Sequence, residues 1–468
     1  MITKDLKRVT EWRKEAELVA KVLENAPVID KSFQIQRDEF GSRQRKVIDA
    51  LERAGLDLAI VYSDEHYDGD VPYLAGNTNI SIEPVAAVIG KGGLHVLAGL
   101  EGGYVVEQMA YRSGAKVHKV EMLKLADEDY PIDAEKVEDI LEEAAGCKPK
   151  RIGLLTPRAV FPVSIFEFLS EYCGGAENIM DVQEIYYRIK YEKSDHEMRL
   201  LKDASLIADT MIRGMLAVLK PGMLETQVAQ WGWAIARELG AEETGFDVMV
   251  TSGEANRTLI GKALNRPIRE GDVVHLGVAP KRDGLTSCVR VSVVAVDHPE
   301  KVTPQQKYWF DFVAEAYRVG LEAYRRVAAA NLPAKLQEQA LVDFFAAKSD
   351  EVSRQVGKPI DMTKLKPYTG THNGGYTECQ EFFGAITLKS ENPLGRQIVT
   401  MLDVAVRGFG NMWHDIVIPG LDYIVVERTL GKFGPKVEVL TELPIDVQHL
   451  VGNVTGWGIG DKPGNFGG

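Results

Sequence analysis

Residues 192–222 read EKSDHEMRLLKDASLIADTMIRGMLAVLKPG, and this stretch organises the second half of the chain. It predicts one long helix: Ser194 or Asp195 can cap its first turn, and Pro221-Gly222 ends it. A second helix is predicted in LETQVAQWGWAIARELG (224–240). Short strand-like runs come next, in GFDVMVTSG (245–253), DVVHLGVAP (272–280) and CVRVSVVAVD (288–297). Two more helices, 305–330 and 334–357, precede closing strands in RQIVTMLDVAVRG (396–408), LDYIVVERTL (421–430) and VEVLT (437–441). Helices grouped between strand groups predict an α+β domain over 188–468.

Upstream the pattern alternates. RDEFGSRQRKVIDALERAG (37–55) has helical spacing, with Val47, Leu51 and Ala54 on one face. Strand candidates follow in LDLAIVYS (56–63), PVAAVIG (84–90), GLHVLAG (93–99), AKVHKVEML (115–123) and RIGLLT (151–156). AEKVEDILEEAA (134–145) and SIFEFLSEYC (164–173) are helical between them. Strands alternating with helices predict an α/β layer domain over 35–187, preceded by a helical extension, 1–34. That extension is too charged for a signal peptide. No apolar run approaches the roughly 20 residues that span a bilayer.

The 468 residues carry 55 basic and 68 acidic side chains, a net charge of −13. This balance excludes nucleic acid and an anionic membrane surface as the main partner. Only Cys147, Cys173, Cys288 and Cys379 are present, too few for a disulfide framework, so a reducing, cytoplasmic setting is expected.

Local catalytic signatures are missing. The sequence has no Gly-x-Ser-x-Gly elbow, Walker loop, dinucleotide fingerprint, His-Glu-x-x-His helix or Cys-x-x-Cys pair. The order of larger blocks says more. RIKYEKSDHEMRLLKDASLIAD (188–209), KPGMLE (220–225), the strand end from Phe246 to Ser252-Gly253, and GDVVHLG (271–277) follow one another. Together they resemble the second domain of the creatinase, aminopeptidase P, prolidase and methionine aminopeptidase superfamily, the pita-bread fold. GLDLAIVYSDEHYDGDVPYLAGNTN (55–79) resembles the amino-terminal domain of its creatinase and prolidase branch. The resemblance implies a C-terminal pita-bread domain preceded by an α/β creatinase-type domain.

In the peptidases of that family, two metal ions are held by two Asp, one His and two Glu. Where the first Asp is expected, GDVVHLG puts His275. The second falls on Cys288 in DGLTSC (283–288). The metal-binding His corresponds to His372 in GTHNGG (370–375), and the final Glu to Glu427 in YIVVERTL (423–430). The remaining Glu belongs near 396–408, where Asp403 is the carboxylate. A substrate-binding His would fall near Ile260, and a His-Glu pair near Cys379-Gln380, flanked by Glu378 and Glu381.

His275, Cys288, His372, Asp403 and Glu427 supply too few anions to offset two bridged cations, so a dinuclear site is not expected. One divalent ion suits this mixture of His, thiol and carboxylate, zinc or iron by ligand type. The alternative is metal-free catalysis, as in creatinase. There His275 or His372 is the general base and Glu427 the acid or cation anchor, with Arg290, Arg407 and Arg428 holding a carboxylate substrate. The full candidate set adds Glu378 and Glu381 to His372 and Glu427 as catalytic residues, and Cys379 and His414 as substrate contacts. The His414-Asp415 pair reads either as a dyad or as plain loop.

The implied activity is hydrolysis of a carbon–nitrogen bond in a small molecule or short peptide. Other implied readings are a lyase acting on a small carboxylate, like one type of dimethylsulfoniopropionate lyase, a metal-dependent Xaa-Pro peptidase, and a catalytically inactive binding homologue. The branch also implies a homodimer, with residues 64–70 or 73–79 capping the partner's site.

Overall fold

The computed structural model describes residues 5–77, 82–125, 129, 131–296, 298–377 and 384–445. Helix α1 (Leu6–Glu24) opens with Asp5 accepting from the Arg8 N–H at 2.9 Å. Its partner is the second domain. Trp12 packs 5.3 Å from Trp231, whose indole N–H donates to the buried Glu15 at 3.0 Å. The amphipathic extension is therefore a brace across the far domain.

Helix α2 (Arg37–Ala54) buries Val47 and Leu51 as the spacing predicts, and stops at Gly55 in the left-handed conformation (φ +67°). Strand β1 (Leu58–Ser63) follows, then α3 (Asp70–Ala75), the hairpin β2 (Val85–Gly90) and β3 (Gly93–Ala98), α4 (Gly102–Ala110) and β4 (Lys116–Lys119). The first domain closes with α5 (Val137–Ala145), β5 (Ile152–Leu154), α6 (Val163–Tyr172), β6 (Ile179–Asp181) and α7 (Gln183–Tyr191). Its strands form one sheet in the order β4-β3-β2-β1-β5-β6, parallel except around the β2 hairpin. The expected boundary at 187/188 falls inside α7.

Ser194 caps helix α8 (Asp195–Val218): its hydroxyl accepts from the Glu197 N–H at 3.1 Å, and the Glu197 carboxylate accepts from the Ser194 N–H at 2.7 Å. Helix α9 (Glu225–Glu238) packs beside it. Next come β7 (Glu243–Thr244), β8 (Met249–Ser252), β9 (Val273–Val278), β10 (Pro280–Arg282), β11 (Leu285–Thr286) and β12 (Val289–Val294). Helices α10 (Pro304–Ala330) and α11 (Lys335–Val356) precede β13 (Thr371–Asn373), β14 (Gln397–Arg407), β15 (Tyr423–Phe433) and β16 (Lys436–Val439). The main sheet runs β13-β14-β15-β12-β9-β8, with β16 alongside β15.

Side-chain alternation decides what this sheet presents on each face. Val274, Leu276, Val289, Val291 and Val293 pack under α8 and α9. Leu402, Val404, Val406, Ile424 and Val426 pack under α10 and α11. The intervening residues, His275, Arg290, Asp403, Tyr423 and Glu427, stand on the opposite face. The two domains meet close to it. Asp283 accepts from the Ile35 N–H and from both Arg112 terminal nitrogens, at 2.6–2.8 Å. Gly69 lies against Tyr376 and Thr377, where a Cβ would come within 2.5 Å of the Thr377 methyl. Among the candidate caps for a partner's site, Tyr67, Gly69, Asp70 and 73–77 are buried, whereas Glu65 and His66 are exposed; 78–79 lie outside the described residues.

One buried carboxyl gives the fold a pH signature. Asp209 on α8 accepts from the Glu442 N–H through one oxygen, while the other has no hydrogen-bond partner among the described residues. Burial pushes its pKa up to about 7, against the pull of that N–H and of Arg428 and Arg213. A folded value above the unfolded one, about 4, means that its stabilising protonated form is lost as pH rises through 7. Asp209→Asn is therefore expected to gain thermal stability over the parent between pH 5 and pH 8. Melting curves of the pair at both pH values check this; a pH-independent difference refutes it.

Candidate active site

Antiparallel register builds the site. On β15, Glu427 lies directly opposite Asp403 of β14 on one side and Arg290 of β12 on the other. Arg290 faces Gly277 of β9, which puts His275 on the adjacent diagonal. His372 on the edge strand β13 pairs with Met401, two residues from Asp403 and on the same face. Residues from five strands thus converge without any local sequence motif.

The centre of the cluster is the Arg290 guanidinium, which is 5% exposed. Its Nε donates to His275 Nε2 at 3.1 Å. One terminal nitrogen donates to Asp403 Oδ2 at 3.0 Å and to the Tyr368 hydroxyl at 3.4 Å. The other donates to the Leu259 carbonyl at 2.6 Å and to the Tyr423 hydroxyl at 2.7 Å. A guanidinium has five N–H donors, and all five are matched. Glu427 Oε2 lies 3.6 Å away as a second counter-charge.

Around it, Tyr368 donates to Asp403 Oδ1 at 2.9 Å, and the Cys288 thiol hydrogen-bonds Glu427. His372 Nδ1 lies 2.8 Å from the Asn373 carbonyl, which can only accept, so Nδ1 carries a proton. His372 Nε2 lies 3.1 Å from Glu427 Oε1. A hydrogen bond there requires a further proton, shared between imidazole and carboxylate. At 14% side-chain exposure His372 is partly open, while Glu427 is 1% exposed.

Burial and charge set the protonation pattern. Burial raises the Asp403 carboxyl, as does the nearby Glu427, with Arg290 opposing. Burial also acts to raise Glu427, but the His372 hydrogen bond and the His372 and Arg290 charges outweigh it, holding Glu427 low. His275 is kept neutral, well below the usual imidazole range, by burial and by Arg290. Since its Nε2 accepts from Arg290, its proton sits on Nδ1, which has no partner among the described residues.

Donor atoms of His372, Asp403 and Glu427 lie within 4.8 Å of one another and are the site's candidate ligand group for an ion. Two ions do not fit: His275 and Cys288 bring no negative charge unless the thiol ionises, and His275 Nε2 already binds Arg290. One ion matches the ligand types but meets donors already engaged, by Arg290, by Tyr368 and by the His372–Glu427 contact.

The expected positions His275, Cys288, His372, Asp403 and Glu427 are thus brought together. Four substrate-binding candidates, Arg290, Arg407, His414 and Arg428, are placed otherwise than expected. Arg290 has no donor left over for a substrate carboxylate. Arg407 sits four residues, about 13 Å, along β14 from Asp403. It lines a separate cavity of about 750 Å³ with Asp361, Lys364 and Asp415. His414 lies in the exposed loop 411–416, outside the cluster. Arg428 is fully buried and donates to backbone carbonyls of Glu427, Arg290, Leu443 and Pro444. Glu378, Cys379 and Glu381 lie outside the described residues. Tyr368 and Tyr423 were missed in the sequence. Tyr423 shares the strand face of Glu427, four residues upstream, and that parity was a usable signal; Tyr368 comes from a loop and gave none.

Residues 199–346 match the model of Metallopeptidase family M24, a description that suggests a divalent ion. The uncharacterized peptidase YqhT of Bacillus subtilis is 26% identical over 248 residues, 53% of this chain and 66% of that relative. An Xaa-Pro dipeptidase of Pyrococcus horikoshii is 21% identical over 61% of this chain and 72% of its own length. Among solved structures, the Pyrococcus horikoshii prolidase superposes with a TM-score of 0.65 at 16% identity, covering 86% of this chain and 98% of that one. An X-Pro aminopeptidase from Thermotoga maritima gives 0.66 at 18% identity, with the same coverage. The architecture is the two-domain fold of these proteins.

Proposed function

We propose, from the premise that the chain belongs to the creatinase, aminopeptidase P and prolidase superfamily, that it hydrolyses a carbon–nitrogen bond in a small polar molecule or short peptide. The likenesses to peptidases support this class of reaction. The observation that carries it is the His372–Glu427 pair, whose Nε2 and Oε1 stand 3.1 Å apart at a partly open position, a distance at which a proton is shared between them. Breaking a carbon–nitrogen bond requires a proton on the leaving nitrogen, and a positioned imidazole supplies it. The Asn373 carbonyl fixes the imidazole plane through Nδ1, so that Nε2 is the atom that gives up the proton. Glu427 holds that proton in place beforehand and neutralises the imidazolium. Cys288 and Arg290 keep the Glu427 carboxylate in position. Such a metal-free acid is closer to a creatinase-like reaction than to a metal-dependent Xaa-Pro peptidase. A cytoplasmic homodimer belongs to the same proposal, supported by the branch resemblance and the sparse cysteines.

The test is turnover of a panel of Xaa-Pro dipeptides, other dipeptides and small amidino acids, in water enriched with heavy oxygen. Hydrolysis leaves heavy oxygen in the product freed at the carbon side. A product without it, from any panel member, identifies elimination and overturns the reading.

A further inference from the structure

We infer that Arg290 is a resident cation that takes the place of a metal ion in this site. The inference deepens the reading above and rests on its placing of the active site.

The argument is one of position and charge. Glu427 and Asp403 face each other across β15 and β14, and His372 joins them to form a group whose donor atoms lie close enough to ligate an ion. Arg290 is the direct strand neighbour of Glu427 on the other side. Its guanidinium reaches back over this face to bond Asp403 at 3.0 Å and to approach Glu427 at 3.6 Å. It also takes Nε2 of His275, which stands where the resembling family has a metal-binding Asp. A single fixed cation therefore engages, at once, groups that a metal would need.

The surroundings accommodate that side chain. Its cross-strand neighbour is Gly277, and a Cβ there would stand 3.3 Å from Arg290 Cγ, so a larger residue would crowd the stem. The Tyr423 ring flanks the guanidinium at 5.6 Å, and the Tyr368 and Tyr423 hydroxyls accept from it. Arg290 already supplies a fixed positive charge to both carboxylates, at 3.0 Å from Asp403 and 3.6 Å from Glu427. A divalent ion would place two further charges beside a buried guanidinium that cannot deprotonate.

The experiment reads metal, so it is independent of any substrate. The full-length protein, prepared without chelator, is titrated with zinc and with iron(II) against a chromophoric chelator. It is then desalted and its metal content measured. The wild type is expected to retain far less than one equivalent. Arg290→Ala frees the carboxylates and is expected to retain about one equivalent of zinc, with a rise in its melting temperature on zinc addition that the wild type does not show. Adding His372→Ala to that variant should remove the uptake. A wild type that keeps one equivalent through desalting, and loses it on His372→Ala, overturns the inference. So does a folded Arg290→Ala that takes none. Should Arg290→Ala not fold, the wild type and His372→Ala decide: stoichiometric binding that His372→Ala abolishes overturns the inference, and binding that is absent or untouched by His372→Ala supports it. Failure here leaves the hydrolase reading standing, and an inactive panel leaves this inference standing.

Discussion

Replacing His372 with alanine is expected to lower kcat by about 10²–10⁴-fold while shifting the melting temperature by only a few degrees. The two effects separate because of where His372 sits. It lies on β13, a three-residue edge strand, and is the partly exposed member of the cluster. Its removal takes the shared proton and its path to the leaving nitrogen, but leaves Glu427 with Arg290 and Cys288. Glu427→Gln should cause a comparable loss of turnover, because an amide neither shares the proton nor balances an imidazolium. His414→Ala is the control, since that residue lies on an exposed loop outside the cluster. Full activity in both His372→Ala and Glu427→Gln would remove the site assignment.

The positions of this site were reached through the family resemblance, while the strands that carry two of them were legible in the residues. The apolar runs around Asp403 and Glu427 predict β14 and β15, and period two places those carboxylates opposite the helix-covered face. The cap at Ser194 and the stop at Pro221-Gly222 bracket α8 within a few residues. Long-range pairing was not legible. Arg290, met in a strand with alternating valines, reads as an open arm for a substrate. Its burial follows from Asp403, Tyr423 and Tyr368, all brought in from elsewhere in the chain by the register of β14 and β15 and by the loop before β13. Arg407 shows the converse: it has the parity of Asp403 but lies at the strand end, where parity no longer implies a shared site. The docking of α1 on α9 through Trp12 and Trp231 is equally non-local.

Removing the Arg290 charge is expected to be the costliest single change to stability in this region. Arg290→Met keeps much of the side-chain volume but leaves Asp403 and Glu427, 4% and 1% exposed, facing each other with no fixed counter-charge. Breaking a buried pair by removing one partner costs about 3–5 kcal/mol, and denaturant midpoints should fall accordingly. The cost arises from the two stranded carboxylates more than from lost packing, and this can be tested. If Asp403→Asn and Glu427→Gln are added to Arg290→Met, no charge is left uncompensated, and most of the lost stability should return. The double variant Asp403→Asn, Glu427→Gln with Arg290 intact should be unstable in its turn, because it strands the guanidinium. Such recovery in the triple variant is non-additive, as expected for side chains within one network. An Arg290→Met variant as stable as the wild type, or a triple variant no better than Arg290→Met, would show that the cluster is held by packing and not by its balanced charges.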